Sequence, residues 1–342
     1  MENKEENLFR TNNEHALVDK NDKIIYDNVI KKHPWILIEN QKCILSPDSD
    51  GFLCGLFMSN VLNWHIAGFY DGKVLTLKKG ENIRDCIFLD MEIFRDYVKS
   101  LGHHMVLYNK RKKPENWINF SNCIQPNIIR GYDAKTKFNQ KYPLGAIHLI
   151  LGIVGHNRKI SIKNTAICPL LYTDGTFKNL FNYPENCLSW LNFLCAEEKN
   201  SPLNTVFFND HYTTSSLMIA LKNFFERLKT INSGRRGADK IRISNSNGMP
   251  INLEKKNNAF SLSYEQRTNT IKFLSILQDL TDWKFISKNW TFDDFSVYKF
   301  TKGAIKPSNQ RFDELMKRNP LSWAMTSTLA IEYTLEEPDQ LP

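Results

Sequence analysis

Residues 42–62 read KCILSPDSDGFLCGLFMSNVL, and this stretch decides the fold of the chain. The apolar residues of Lys42 to Ser46 are typical of a short buried strand. Proline, aspartate and glycine over positions 47–51 are turn-forming residues. Beyond them, apolar residues recur close to helical spacing from Phe52 to Asn63. The stretch therefore predicts a strand, a loop that carries two aspartates, and a helix.

The sequence on the C-terminal side of this stretch continues the alternation of strands and helices. Ile66 to Tyr70 and Val74 to Leu77 are strand-like runs, and Asp71-Gly72 between them is a favoured hairpin turn. Cys86 to Leu89 is a further strand candidate, and a helix is predicted over Met91 to Lys99. This order indicates an α/β fold in which a parallel sheet carries helices on both faces.

The chain of 342 residues is long enough for one large domain or two ordinary ones. Residues 1–23 lack apolar periodicity and are predicted to form an N-terminal tail. We expect an α/β domain over 24–200 and a smaller α+β domain over 201–342. The polar stretch Lys199-Asn200-Ser201-Pro202 is the predicted boundary between them.

Composition and charge exclude several classes of protein. The 45 Lys and Arg residues exceed the 37 Asp and Glu residues by 8, which favours anionic partners without requiring them. The 42% hydrophobic content indicates a folded chain rather than a disordered one. The N-terminus is polar, so we expect no secretory signal. No run of about 18 apolar residues occurs, so we expect no membrane span. Seven scattered cysteines without a CxxC pair predict reduced thiols and a cytoplasmic protein.

Four aspartates lie just after apolar segments. Asp48 and Asp50 follow the first strand, Asp90 ends a later strand, and Asp174 follows the apolar segment Ala166 to Tyr172. Functional side chains of open α/β sheets gather outside the carboxyl ends of the strands. We therefore expect these carboxylates to converge at one edge of the sheet.

The histidine pair His103-His104 would add nitrogen ligands to these carboxylates. A mixed nitrogen and oxygen site suits Mn²⁺, and Mg²⁺ is the alternative cation. Two such ions about 3.5–4 Å apart would clamp a phosphoryl oxygen and activate a water molecule. The sequence thus predicts a site for one or two divalent ions.

These residues resemble the four motifs of the DHH phosphoesterases, a superfamily of RecJ-type nucleases, oligoribonucleases and manganese-dependent pyrophosphatases. Ser46-Pro47-Asp48-Ser49-Asp50-Gly51 resembles the first motif, His-x-Asp-x-Asp-Gly, and Asp90 resembles the strand-terminal second motif. Gly102-His103-His104 resembles the Asp-His-His motif that names the family, and Asp174 resembles the fourth. The resemblance covers about Lys42 to Phe177, roughly half of the chain.

The resemblance implies a DHH-like domain and a metal-dependent enzyme. Such an enzyme would hydrolyse phosphodiester bonds of nucleic acid or of oligo- or cyclic nucleotides with metal-activated water. His103 and His104 are the implied catalytic histidines. The implied metal ligands are Asp48, Asp50, Asp90, His103 and Asp174.

Other residues are candidate contacts for the phosphates of a substrate. Basic residues would neutralise phosphate charge, and Lys112 lies in the basic run that follows the histidine pair. Arg235 and Arg236 are flanked by glycines and offer a second basic contact. The predicted substrate-binding set is Ser46, His104, Lys112, Arg235 and Arg236.

Two departures from the family pattern keep an alternative open. Ser46 stands where the family has a metal-binding histidine, and Gly102 stands where it has the aspartate of Asp-His-His. The alternative is a catalytically degenerate protein of DHH fold that binds nucleotide, nucleic acid or a protein partner. A protein partner would bind through the C-terminal half. Simpler roles are also open, because aspartates form turns and cap helices without any ligand.

Overall fold

The computed structural model describes residues 21–231 and 238–342, except for the side chains of 136–138. Its architecture is α/β, with helices packed on a mixed central sheet. The strands of the sheet are β1 (Lys42–Leu45), β2 (His65–Tyr70), β3 (Val74–Lys78), β4 (Cys86–Leu89), β5 (Lys99–Leu101), β6 (Cys123–Ile124), β7 (Leu253–Lys256), β8 (Ala259–Leu262), β9 (Phe295–Ile305), β10 (Ser322–Ser327) and β11 (Ala330–Pro338).

The helices of the described ranges differ widely in length. None of them is both long enough and apolar enough to cross a membrane. The α-helices are α1 (Tyr26–Lys32), α2 (Ser49–Leu62), α3 (Pro126–Ile129), α4 (Ala134–Lys137), α5 (Ala146–Asn157), α6 (Ile167–Tyr172), α7 (Thr176–Asn182), α8 (Pro184–Phe193), α9 (Pro202–Phe207), α10 (Thr214–Ile231), α11 (Tyr264–Thr281) and α12 (Asn309–Lys317).

The sheet is parallel in one half and antiparallel in the other. Its strand order is β10-β11-β9-β3-β2-β1-β4-β5-β6, and the β7–β8 hairpin joins β9 through β8. Strands β2, β1, β4, β5 and β6 run parallel to one another. Strands β3, β9, β11 and β10 pair in antiparallel fashion. The parallel sheet predicted from the sequence is thus one part of a larger mixed sheet.

The mixed character arises where the C-terminal half joins the sheet. Strand β9 pairs with β3 over five residues, for example Leu75 with Tyr298. The ring of Phe69 in β2 also packs on Phe292 and Phe295, with centroids 6.2 and 6.4 Å apart. One sheet therefore contains strands from both sides of residue 200. The division into domains over 24–200 and 201–342 stays a prediction.

The core cluster on one face of the parallel half includes residues from most of the α-helices. Successive residues of a strand point to opposite faces. Cys43 and Leu45 accordingly belong to the core cluster that includes α2, α5 and α11, whereas Ile44 faces the other side. The cluster on that other side includes no residue of an α-helix within the described ranges. The expectation of helices on both faces is not met at this cluster, but Cys123 of β6, on the same face, belongs to a cluster that includes Phe312, Leu315 and Met316 of α12.

The segment that covers this second face is not the predicted helix. Residues 91–98 contain a β-bridge and a turn, and the next strand already begins at Lys99. Buried Arg95 donates to the carbonyl oxygens of Phe94, Pro320 and Asn319. These contacts fix the segment against the C-terminal part of the chain, and long-range hydrogen bonds replace the helical ones.

Helix α2 begins shortly after β1 ends, at the edge of the sheet. Asp48 caps the helix by accepting a hydrogen bond from the backbone N–H of Gly51 at 3.3 Å. A Cβ atom at Gly51 would lie 2.0 Å from the carbonyl oxygen of Ser46, so this close approach requires glycine. The helix ends at Asn63, which adopts a left-handed conformation.

Candidate metal centre

Four side chains converge at the carboxyl ends of the parallel strands. Asp90, His103, His104 and Asp174 each offer one ligand atom, and these atoms all lie within 4.8 Å of one another. We call these four residues the Asp-His cluster. Distances of this size suit several ligands around a single cation, because metal–ligand bonds measure about 2.0–2.2 Å.

The backbone places these side chains by two unusual conformations. Asp90 follows β4 with φ of 61°, and Asp174 lies between α6 and α7 with φ of 51°. Gly175 continues in the left-handed region with φ of 63°. A left-handed conformation is uncommon for residues other than glycine, and such strain concentrates at functional sites. The histidine pair follows β5 after the single residue Gly102.

His103 lies between the two aspartates of the cluster. Its Nε2 is 2.8 Å from Oδ2 of Asp174, and its Nδ1 is 3.8 Å from Oδ1 of Asp90. Its ring lies against that of His104, with centroids 4.1 Å apart. His103 is 8% exposed and His104 is 37% exposed. His103 is therefore an internal member of the cluster, whereas His104 faces the adjoining cavity.

Several buried polar atoms of the cluster have no hydrogen-bond partner within the described residues. They are both carboxylate oxygens of Asp90 and the Nδ1 atoms of His103 and His104. A buried carboxylate without a partner is costly, and native structures contain few such groups. A divalent cation would satisfy the oxygens of Asp90 and Nδ1 of His103, so the residues present fit a metal ion. Carboxylate oxygen and imidazole nitrogen ligands suit several divalent transition metals.

The electrostatics of the cluster also favour a cation. Burial, followed by the charges of Asp50 and Asp48, raises the pKa of Asp90 well above its ordinary value. Burial and the charge of Asp174 raise the pKa of Asp50 to about 8. Burial opposes ionisation of Asp174 too, but the hydrogen bond and charge of His103 outweigh it and lower that pKa. These carboxylates repel one another, and a bound cation would remove the repulsion.

Asp50 is fully buried beside the cluster but is held by backbone groups. Its carboxylate accepts hydrogen bonds from the backbone N–H of Ala146 at 2.5 Å and of Ile147 at 3.1 Å. A Cβ atom at Gly145 would lie 2.9 Å from both carboxylate oxygens. These donors form the N-terminus of α5, where the helix dipole stabilises negative charge. The metal-binding roles of Asp48 and Asp50 stay predictions.

A cavity of about 410 Å³ opens beside the cluster. Ser46, Asp48, Glu92 and His104 form part of its lining, next to the Asp-His cluster. Four basic side chains also contribute to its lining, together with Asp71 and Glu332, and one of the four, Lys302, pairs with Glu332. These basic residues are Lys73, Lys240, Arg242 and Lys302.

The structure distributes the predicted substrate-binding residues unequally. Ser46 and His104 line the cavity. Lys112 pairs with Asp313 and lines a separate surface depression. Arg235 and Arg236 lie outside the described residues. The roles assigned to all of these residues stay predictions.

Sequence reasoning missed several residues near the cluster. Glu92 is 2% exposed, and its position two residues after Asp90 in an extended segment was the available signal. Burial alone would raise its pKa, but the contact with His104 lowers it. Lys141 also lies near the cluster. Burial lowers the pKa of its side chain, and the charges of Glu92 and Asp174 act in the opposite direction. Nothing in the local sequence around Lys141 indicated this position.

No family model, curated protein or solved structure matches this chain. The DHH resemblance therefore depends on the motif residues alone.

Proposed function

We propose that this chain is a metal-dependent phosphoesterase that hydrolyses phosphodiester bonds of nucleic acid or of oligo- or cyclic nucleotides. One observation carries the proposal. The Asp-His cluster brings its ligand atoms within 4.8 Å of one another, beside a cavity with basic residues in its lining. Acidic ligands hold a cation, and basic residues attract the phosphate that the cation would activate.

The chemistry divides between the cation and the side chains. A divalent ion, which we propose to be Mn²⁺ or Mg²⁺, would act as a Lewis acid and lower the pKa of a bound water molecule. Asp90, His103 and Asp174 hold that ion. His104 belongs to the same cluster and also lines the cavity, so it would complete the ligand set of that ion on the side that faces the substrate. Lys240, which is exposed at the cavity, offers positive charge to the substrate.

Calorimetry with Mn²⁺ tests the metal site directly. We expect the wild-type protein to bind Mn²⁺, and His103→Ala to weaken binding by about 100-fold or more because an internal ligand is lost. His156→Ala is the matched control, since His156 lies on the surface and pairs with Asp27. Equal affinities for wild type and His103→Ala would contradict the proposed site.

Hydrolysis of a panel of nucleotides and oligonucleotides tests the activity. We expect Mn²⁺-dependent turnover by the wild type and a loss of at least about 100-fold in His103→Ala. Turnover that persists unchanged in the variant would refute the proposed function.

The alternative is a protein that binds nucleotide, nucleic acid or a protein partner without catalysis. Gly102 favours it, because this residue supplies no carboxylate next to the histidine pair. Tight binding of a nucleotide with neither Mn²⁺ uptake nor turnover would support this alternative over the enzyme.

A further inference from the structure

The carboxylate of Glu92 is fixed by donors on one oxygen. Its Oε1 accepts a hydrogen bond from the backbone N–H of Met105 at 2.7 Å and lies 3.5 Å from Nε2 of Gln125. Its Oε2 faces Nδ1 of His104 at 3.7 Å. Glu92 is 2% exposed. The two oxygens therefore have different partners, and only the second is directed at the cluster.

Gly102 leaves the space that this carboxylate occupies. A Cβ atom at position 102 would lie 2.6 Å from Oε2 of Glu92 and 2.8 Å from its Cδ. Real Cβ atoms essentially never approach another atom so closely. The observed position of the Glu92 carboxylate thus depends on the absence of a side chain at Gly102.

We propose that Glu92 is a positioning residue that fixes the tautomer of His104. The carboxylate accepts a hydrogen bond from Nδ1–H, which keeps the proton on Nδ1 and leaves Nε2 free to bind the cation. This inference rests on the proposed metal site. Histidine ligands commonly donate their second ring N–H to a carboxylate, which orients the ring and raises its basicity.

The observed distance fits this role after a small movement. A hydrogen bond between nitrogen and oxygen measures about 2.7–3.2 Å, so the ring of His104 must approach Oε2 by about 0.5–1 Å. Nδ1 of His104 has no hydrogen-bond partner within the described residues, so no competing hydrogen bond holds it away from Glu92. Catalytic hydrogen bonds often shorten when the ligand binds.

Glu92→Gln is the decisive variant because it changes hydrogen bonding and keeps the shape of the side chain. The N–H of Met105 retains the amide oxygen at the Oε1 position. The amide nitrogen, a donor, then faces His104. Nδ1 must become the acceptor, and the proton moves to Nε2, where it blocks the cation.

Two measurements read this change. Nitrogen-15 spectra of the metal-free protein, at a pH where the ring is neutral, should place the His104 proton on Nδ1 in the wild type and on Nε2 in Glu92→Gln. Calorimetry should show Mn²⁺ affinity about 10- to 100-fold weaker in the variant. The control Glu115→Gln, at an exposed position, should change neither.

The outcomes separate this inference from the proposed function. An Nε2–H tautomer in the wild type, or an unchanged tautomer in Glu92→Gln, overturns the role of Glu92. Wild-type protein that binds no Mn²⁺ refutes the metal site, while the tautomer measurement still tests the contact between Glu92 and His104.

Gly102→Ala provides an independent second test. Its methyl group should displace the carboxylate and weaken Mn²⁺ binding, although no ionisable group changes. In the Glu92→Ala background the same substitution should cost little more, because its effect passes through Glu92. Additive losses in the double variant would show that Gly102 acts separately and would contradict the arrangement.

Discussion

At the residue scale, Asp90 is a candidate metal ligand whose burial is unfavourable in the metal-free protein. Its carboxylate is buried, its pKa is raised by burial and by neighbouring aspartates, and its oxygens have no hydrogen-bond partner within the described residues. Folding of the metal-free protein must either protonate this carboxyl or bury its charge, and both cost free energy. These properties are those that the proposed metal site requires of a ligand.

The substitution Asp90→Asn separates these two effects. We expect the metal-free variant to be as stable as the wild type or more stable by about 1–2 kcal/mol, because the cost of protonating this carboxyl or burying its charge on folding is removed. The thermal shift that Mn²⁺ produces in the wild type should disappear. Scanning calorimetry with and without Mn²⁺ measures both quantities, with Asp27→Asn, an exposed position, as the control. A variant that is less stable but retains the Mn²⁺ shift would contradict this view.

Asp50 predicts how the stability of the metal-free protein depends on pH. Its pKa is raised from 3.8 to about 8, so the folded state retains a proton that the unfolded state has lost. The contribution of Asp50 to the free energy of unfolding is fully present below the pKa of the unfolded state. It is lost as pH rises through the pKa of the folded state. Between about pH 6.5 and 8 the buried histidines His33 and His148 no longer titrate, since burial lowers both pKa values to about 4.

The free energy of unfolding of the metal-free protein should therefore fall between about pH 6.5 and 8. Urea denaturation at several pH values measures it. In Asp50→Asn the fall should become smaller, and saturating Mn²⁺ should also reduce it in the wild type. Stability that increases through this window would show that Asp50 is not a buried acid of raised pKa.

At the element scale, the loop between β1 and α2 depends on a close backbone approach. Gly51→Ala would place a methyl group 2.0 Å from the carbonyl oxygen of Ser46. We expect a loss of about 3 kcal/mol or more in the free energy of unfolding, since backbone atoms must move. Ser275→Ala, at an exposed helical position, is the reference. A loss below about 1 kcal/mol in urea denaturation would mean that the loop adapts easily.

The segment before β5 shows the importance of a single buried arginine. Arg95 donates to three carbonyl oxygens and pairs with Glu336 of β11. Replacement by alanine would leave buried groups without partners, and we expect a loss of about 3–5 kcal/mol. Arg158→Ala, which breaks an exposed pair with Glu39, should cost less than about 1 kcal/mol in the same denaturation experiment. Similar losses in the two variants would contradict the structural role of Arg95.

Elements with a local signal were readable from the sequence, and those held by distant contacts were not. Strand β1 and helix α2 agree with the strand and helix predicted over 42–62, although the helix begins at Ser49, so that Asp50 lies in its first turn rather than in the loop. The helix predicted over Met91 to Lys99 is absent, because Arg95 binds carbonyl groups more than two hundred residues away.

The same distinction applies to the candidate site. The structure brings together Asp90, His103 and Asp174, whose positions after apolar segments could be read from the sequence. Asp174 follows a helix rather than a strand. Glu92 was missed because its segment was expected to be helical.

At the scale of the whole molecule, the sheet joins the two halves of the sequence. Without β9, strand β3 would become an exposed sheet edge, and the ring of Phe69 would lose Phe292 and Phe295. A fragment of residues 21–200 should therefore aggregate or fail to unfold cooperatively. Gel filtration and thermal denaturation of the fragment measure this. A monomeric fragment with a cooperative transition would instead support the predicted division near residue 200.

The pairing of β3 with β9 also has a consequence for the newborn protein. Val74–Lys78 leaves the ribosome more than two hundred residues before its partner Phe295–Ile305. At synthesis rates of about 5–20 residues per second, Val74–Lys78 remains without its partner strand for roughly 10 to 45 seconds. During this time the nascent chain presents an unpaired edge and uncovered aromatic rings. Translation speed and chaperone supply thus become determinants of how much of this protein reaches its native state.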